Sequence, residues 1–119
     1  MRASYSPEFD EHEAVFTYED AATGLLAIVA IHSTALGPAI GGTRYWRYPD
    51  VGSGLDDALR LSRAMSLKAA LSGAPMGGGK AVIIADPDRP KTPELIAAYG
   101  AFLNRVGDLF ATGRTSASA

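Results

Sequence analysis

The run PMGGGKAVIIADP, Pro75 to Pro87, sets three glycines and Lys80 directly before an apolar segment. A lysine in that setting could grip a phosphate, act on some other substrate, or point to water from a plain turn. A phosphate loop needs G-x-x-x-x-G-K-[ST] between a strand and a helix. Here Ala74 stands where the first glycine is required and Ala81 where the hydroxyl is required. The order is also reversed, because the segment leaves a helix and enters a strand. The dinucleotide pattern G-x-G-x-x-G fails too, since Lys80 to Ala85 holds no glycine. Phosphate binding is excluded on spacing and context.

Lys68 is the second lysine in question. It follows Leu61 by seven residues, Ala64 by four and Met65 by three, and Leu71 lies three beyond it. Those intervals put Lys68 on an apolar stripe of a helix. It either reaches past the stripe to water or is held in an apolar site with an anion or a lowered pKa. Spacing alone leaves both open. Together the two lysines could converge on one cleft. One would hold a carboxylate as a fixed charge, while the other, desolvated, works as an acid or base near neutral pH. Glycines beside them would let a substrate approach the backbone.

The elements that must position these residues follow from periodicity. EAVFTY and LLAIVAIHS read as two strands joined as a hairpin across Glu19 to Gly24. A loop, TALGPAIGG, leads to a third strand in TRYWRY. The strongest helix runs from Ser53 to Ser72, with Ser53 as cap and Asp56 completing a capping box. Leu61, Ala64, Met65 and Leu71 form its expected buried face, and Gly73 and Pro75 end it. AVIIA is a short buried strand beyond a glycine turn. A last helix starts at Thr92-Pro93 and carries the stripe Leu95, Tyr99, Phe102 and Val106. Strands alternating with helices predict an α/β class, a layered fold.

Composition narrows the function classes. With 119 residues the chain is one domain or part of one, and its 47% apolar content is ordinary. A formal charge of −2 offers no field for nucleic acid or a membrane surface. There is no cysteine, and His12 and His32 have no companion at ligand spacing, so no metal site is expected. The polar, acidic N-terminus is not a signal peptide, and the apolar run Gly24 to Ile31 is too short to span a bilayer. A soluble, cytoplasmic protein is expected.

LGPAIGGTRYWRY followed by DDALRLSRAMSLKAALSGAPMGGGKAVIIADP resembles the N-terminal, substrate-binding and dimerisation domain of the glutamate/leucine/phenylalanine/valine dehydrogenases. The resemblance runs from about Gly24 to Val106. It implies a three-layer α/β/α fold whose sheet is mostly parallel beyond the hairpin. It implies oxidative deamination of an L-amino acid to its 2-oxo acid and ammonia with NAD, in a homo-oligomer. By the same resemblance Lys68 of M-x-x-K holds the substrate carboxylate, and Lys80 of G-G-G-K is the catalytic lysine with a lowered pKa. Gly41, Gly42 and Met65 line the pocket. Ile40 stands where glutamate-specific members carry a lysine, so a branched-chain or aromatic side chain is expected.

Two departures qualify this. Ala69 replaces an asparagine usual after the M-x-x-K lysine. After the last helix the family continues into T-A-E-D-V-G, with an essential aspartate, and then an NAD-binding domain. This chain reads FATGRTSASA. Residues 1–110 are therefore expected to be the substrate-binding and dimerisation domain, incomplete at its end, with 111–119 a disordered tail. A single-base deletion after the Gly113 codon would generate that tail from the family motif; a split gene and deliberate truncation are the rival explanations. The expected function is the substrate-binding half of the dehydrogenase, inactive alone and binding no cofactor itself. The alternatives are an interaction module or a non-catalytic amino-acid binder. Exposed apolar surface and marginal stability are expected with either.

Overall fold

The computed structural model describes residues 8–112 and 115–117. β1 (Ala14–Asp20) and β2 (Leu25–Ser33) form the expected antiparallel hairpin, with Asp20 opposite Leu25 and Gly24 in the left-handed region at the turn. β2 then pairs antiparallel with β5 (Gly77–Ile84), which lies at the centre of the sheet. On its other side β5 meets β3 (Ala39–Ile40) along its first residues and β4 (Thr43–Trp46) further on, both parallel. β6 (Phe110–Ala111) and β7 (Thr115–Ala117) extend β3 and β4 in parallel. Every pairing beyond the hairpin is parallel except that of β2 with β5.

Two helices cover the two faces. α1 (Val51–Ser72) joins β4 to β5 and packs Ala58 and Leu59 on Ile28, Ala30 and Val82. α2 (Pro93–Val106) packs Leu95, Tyr99, Phe102 and Val106 on the opposite face, against Leu25, Val29, Ile31, Ala81 and Ile83. The α/β/α layering is as expected. The α2 stripe is buried in full, and Thr92 caps the helix by accepting from the Leu95 N–H at 3.1 Å. Each such apolar side chain stabilises the fold by about 1.5–3 kcal/mol on burial.

Five expectations need correction. The glycines are not a turn: Gly77, Gly78 and Gly79 form the first part of β5. A Cβ on Gly77 would lie 1.9 Å from the Ser33 carbonyl oxygen, and one on Gly78 2.2 Å from the Ser66 nitrogen. Only glycine lets backbone and helix approach this closely. Ala39 and Ile40, placed in a loop by sequence, form the short strand β3 because β5 and β6 offer partners on both sides.

The helix begins earlier than Ser53. Asp50 is the cap; its carboxylate accepts from the Ser53 N–H at 2.7 Å, where a negative charge also favours the helix dipole. The buried face of α1 is also different. Gly54, Ala58, Leu59, Ser62 and Ala69 face the sheet, whereas Ala64, Lys68 and Leu71 are exposed and Leu61 and Met65 half-buried. Small residues win the contact because β5 is itself glycine there.

The stretch 111–119, read as a structureless tail, holds the last residue of β6, Ala111, and all of β7. The point after Gly113 at which a frame change was expected lies outside the described residues.

Candidate functional site

Lys80 lies within β5 opposite Ala30 of β2, on the sheet face covered by α1. It is half-buried, and among the described residues it makes no hydrogen bond or ion pair. Burial first, then the nearby Arg44 charge, lowers its pKa from the ordinary lysine value, against an opposing pull from Asp57. Ile40 sits opposite Gly78, two residues before Lys80 and so on the same face. Gly41 and Gly42 bridge β3 to β4 beside this segment: the Gly42 carbonyl accepts from the Ala81 N–H at 3.2 Å. A Cβ on Gly41 would sit 1.8 Å from the Gly79 carbonyl oxygen. Ile40, Gly41, Gly42 and Lys80 are thus neighbours across two strands.

α1 borders this group with one flank. Asp57 marks that flank, because it meets Arg44 of β4, at 3.4 Å, and Tyr48. At about 100° per residue, Leu61, Ala64, Lys68 and Leu71 all lie within roughly 40° of Asp57 round the helix, and Met65 about 80° away. The apolar stripe singled out by spacing therefore lies on the Asp57 flank of α1 and is largely turned to solvent, with Leu71 89% exposed. Lys68 is exposed on that flank and, among the described residues, has no ion-pair partner. Ile40, Gly41, Gly42 and Lys80 adjoin in the sheet, while Met65 and Lys68 belong to α1.

Sequence reasoning missed two groupings. The Asp57 carboxylate accepts from Arg44, Tyr48 and Arg60 together. Burial, and then the bond to Asp57, push the Tyr48 phenol well above its usual pKa. These residues border a surface depression of about 450 Å³. The signal was present: Asp57 precedes Leu61 by four residues and so heads the apolar stripe. The second grouping is His12 and His32, 20 positions apart in the chain but with ring centroids 4.7 Å apart. His12 Nε2 bonds the Leu59 carbonyl at 2.8 Å and Ser62 Oγ at 3.0 Å, and His32 Nδ1 bonds Ser66 Oγ at 2.8 Å. They pin the opposite flank of α1. No group of three or more metal-ligating side chains occurs among the described residues.

Residues 12–115 match the sequence profile described as Glu/Leu/Phe/Val dehydrogenase, dimerisation domain. The chain belongs to this family. It is 50% identical over 101 residues to a valine dehydrogenase of Streptomyces albus, which covers 85% of this chain and 28% of that protein. It is 51% identical over 106 residues to a phenylalanine dehydrogenase of Bacillus thermotolerans, covering 89% of this chain and 28% of the other. In structure it resembles the L-tryptophan dehydrogenase from Nostoc punctiforme, with a TM-score of 0.83 and 47% identity. That likeness covers 90% of this chain and 32% of the other. The chain thus spans little more than a quarter of the length of these curated relatives. No helix among the described residues is long and apolar enough to cross a membrane.

Proposed function

We propose that this chain supplies the substrate-binding face of an L-amino-acid dehydrogenase for apolar side chains, and that alone it does not turn over. The observation that carries the reading is Lys80: half-buried, unpaired among the described residues and depressed in proton affinity, on the sheet face that α1, the helix of Lys68, covers. Lys68 is free to hold an α-carboxylate as a fixed charge. Lys80, more readily neutral than an exposed lysine, is suited to exchange a proton with water or amine at the α-carbon. Ile40, beside Gly78 on the same face, offers no charge to a side-chain carboxylate, which favours leucine, valine or phenylalanine over glutamate.

NAD is the hydride acceptor the family resemblance implies. The glycine-rich run Gly77–Gly79 is packed, with Gly78 against Ser66 and Gly79 against Phe110, which speaks against a pyrophosphate cradle at that run. The proposal therefore gives this chain substrate binding and proton handling only.

The reading is tested on the purified chain by following backbone and lysine resonances as L-leucine, L-phenylalanine or L-glutamate is added. Apolar amino acids should perturb Ile40, Lys68 and Lys80, and K68A should abolish the effect. Glutamate binding as well as leucine would refute the role of Ile40. Steady NADH formation by this chain would refute its inactivity.

A second role, self-association, is favoured by the description of the matched family segment as a dimerisation domain. Light scattering tests it, and a strictly monomeric chain would count against it.

A further inference from the structure

Lys80 has a carboxylate close enough to act on it electrostatically, Asp57, yet no ion pair forms between them. The reason is visible on the helix flank. Arg44 reaches Asp57 Oδ2 at 3.4 Å, Tyr48 donates to the same oxygen, and Arg60 takes Oδ1. Both carboxylate oxygens are engaged. Arg44 stands opposite Val82, which is two residues beyond Lys80 on the same face, so its side chain lies diagonally across from the lysine.

We propose that Arg44 is a positioning residue for Lys80: anchored by Asp57, it occupies the carboxylate the lysine would otherwise pair with and leaves the amine unpaired. The chemical consequence rests on the function proposed above, but the arrangement itself does not. An amine paired to Asp57 would be drawn toward the helix flank and held protonated. Unpaired beside a permanent cation, it is more readily neutral, in keeping with its lowered proton affinity.

Among the described residues, few charged and titratable groups face Lys80. β4 contributes Arg44, and α1 contributes Asp57 with Arg60 behind it. Tyr48 comes from the connection between them. The neighbour on β2 is Ala30. Lys68 stands three turns further along α1, on the same flank as Asp57. His12 and His32 lie against the opposite flank of α1.

The chain has three lysines, Lys68, Lys80 and Lys91, so each can be followed in a 13C-lysine-labelled sample of the whole chain by its Cε shift against pH. Lys80 should titrate below the other two. R44M should raise its midpoint, and several-fold slower acylation of Lys80 than in the unaltered chain should accompany that rise at pH 7.5. D57N should lower the midpoint further, because the attractive charge is gone while Arg44 remains. R44K, which keeps the charge and the pairing, should leave Lys80 titrating low.

Opposite shifts in R44M and D57N are the outcome a merely structural role would not produce. Shifts of the same sign, or no shift in R44M, overturn the proposal while leaving a low-titrating Lys80 and the functional reading intact. Should R44M fail to fold, D57N against R44K decides: R44K titrating like Lys91, or D57N failing to lower Lys80, overturns it. A Lys80 that titrates with Lys68 and Lys91 in the unaltered chain removes both this proposal and the catalytic assignment.

Discussion

Replacing Gly78 with alanine isolates what the glycines of β5 are for. A Cβ at this position would lie 2.2 Å from the backbone nitrogen and Oγ of Ser66 and 2.6 Å from the Ser62 carbonyl oxygen, where ordinary contact begins at 3.4 Å. Two of these three atoms are helix backbone, so no rotamer change relieves the overlap. α1 must lift by about 1 Å along the turn that packs on β5, with the cost of an overpacked core, roughly 1–3 kcal/mol and here near the upper end. Removing a glycine also narrows the unfolded ensemble, which returns about 0.4–1 kcal/mol. The net is a loss of about 2 kcal/mol.

For a domain of this size each kcal/mol moves the midpoint by about 4–8 °C, so the melting temperature should fall by roughly 8–16 °C. Gly100→Ala is the control. It lies inside α2 with nothing within 4 Å of its would-be Cβ, and alanine there should add about 0.5–1 kcal/mol. Thermal denaturation by circular dichroism reads both. A G78A chain that melts with the unaltered one would refute the close-packing account and return the glycines to the role of a turn.

The cap of α1 gives a second expectation: D50A should cost about 0.5–2 kcal/mol in urea unfolding, and S53A less, because Ser53 contributes its backbone N–H to the cap bond and the substitution keeps it. His12 gives a third, in pH. Burial, chiefly, lowers its pKa below 6.5, so the unfolded chain binds the proton more readily than the folded one. Its contribution to stability is fully present above about pH 6.5 and is lost as pH falls through the lowered folded value. Urea midpoints at pH 7.5 and pH 5 should therefore differ more in the unaltered chain than in H12Q, and equal differences would refute this. Finally, Y99F should weaken the fold by about 1 kcal/mol, since the phenol, pushed up to about 12 by burial, shares a buried hydrogen bond with Thr43 that links α2 to β4.

Local chemistry was legible and face choice was not. The hairpin and α2 could be read because their signals are local: a glycine at the turn, a threonine-proline cap, four large apolar residues at helical spacing. α1 defeated the same method for a physical reason. Hydrophobic spacing identifies a buried face only when the partner surface has depth to fill, and β5 presents Gly78 where α1 crosses it. Beside Leu59 the contact is made by Gly54, Ala58, Ser62 and Ala69, residues too small or too polar to register as a stripe. Leu61, Ala64, Met65 and Leu71 were then free to lie elsewhere, and they lie half-buried or exposed on the Asp57 flank. The sequence signal was therefore a true record of an apolar surface attached to the wrong neighbour. Lys68 belongs to that surface, so placing it with the stripe was sound while placing the stripe in the core was not. Asp57 at the head of the stripe is the residue that separates the two cases. A carboxylate with three donors can be tolerated at the edge of a helix face, where solvent shares the charge, but is costly in a core. An acidic residue four positions before an apolar stripe is thus a reason to read that stripe as surface rather than core.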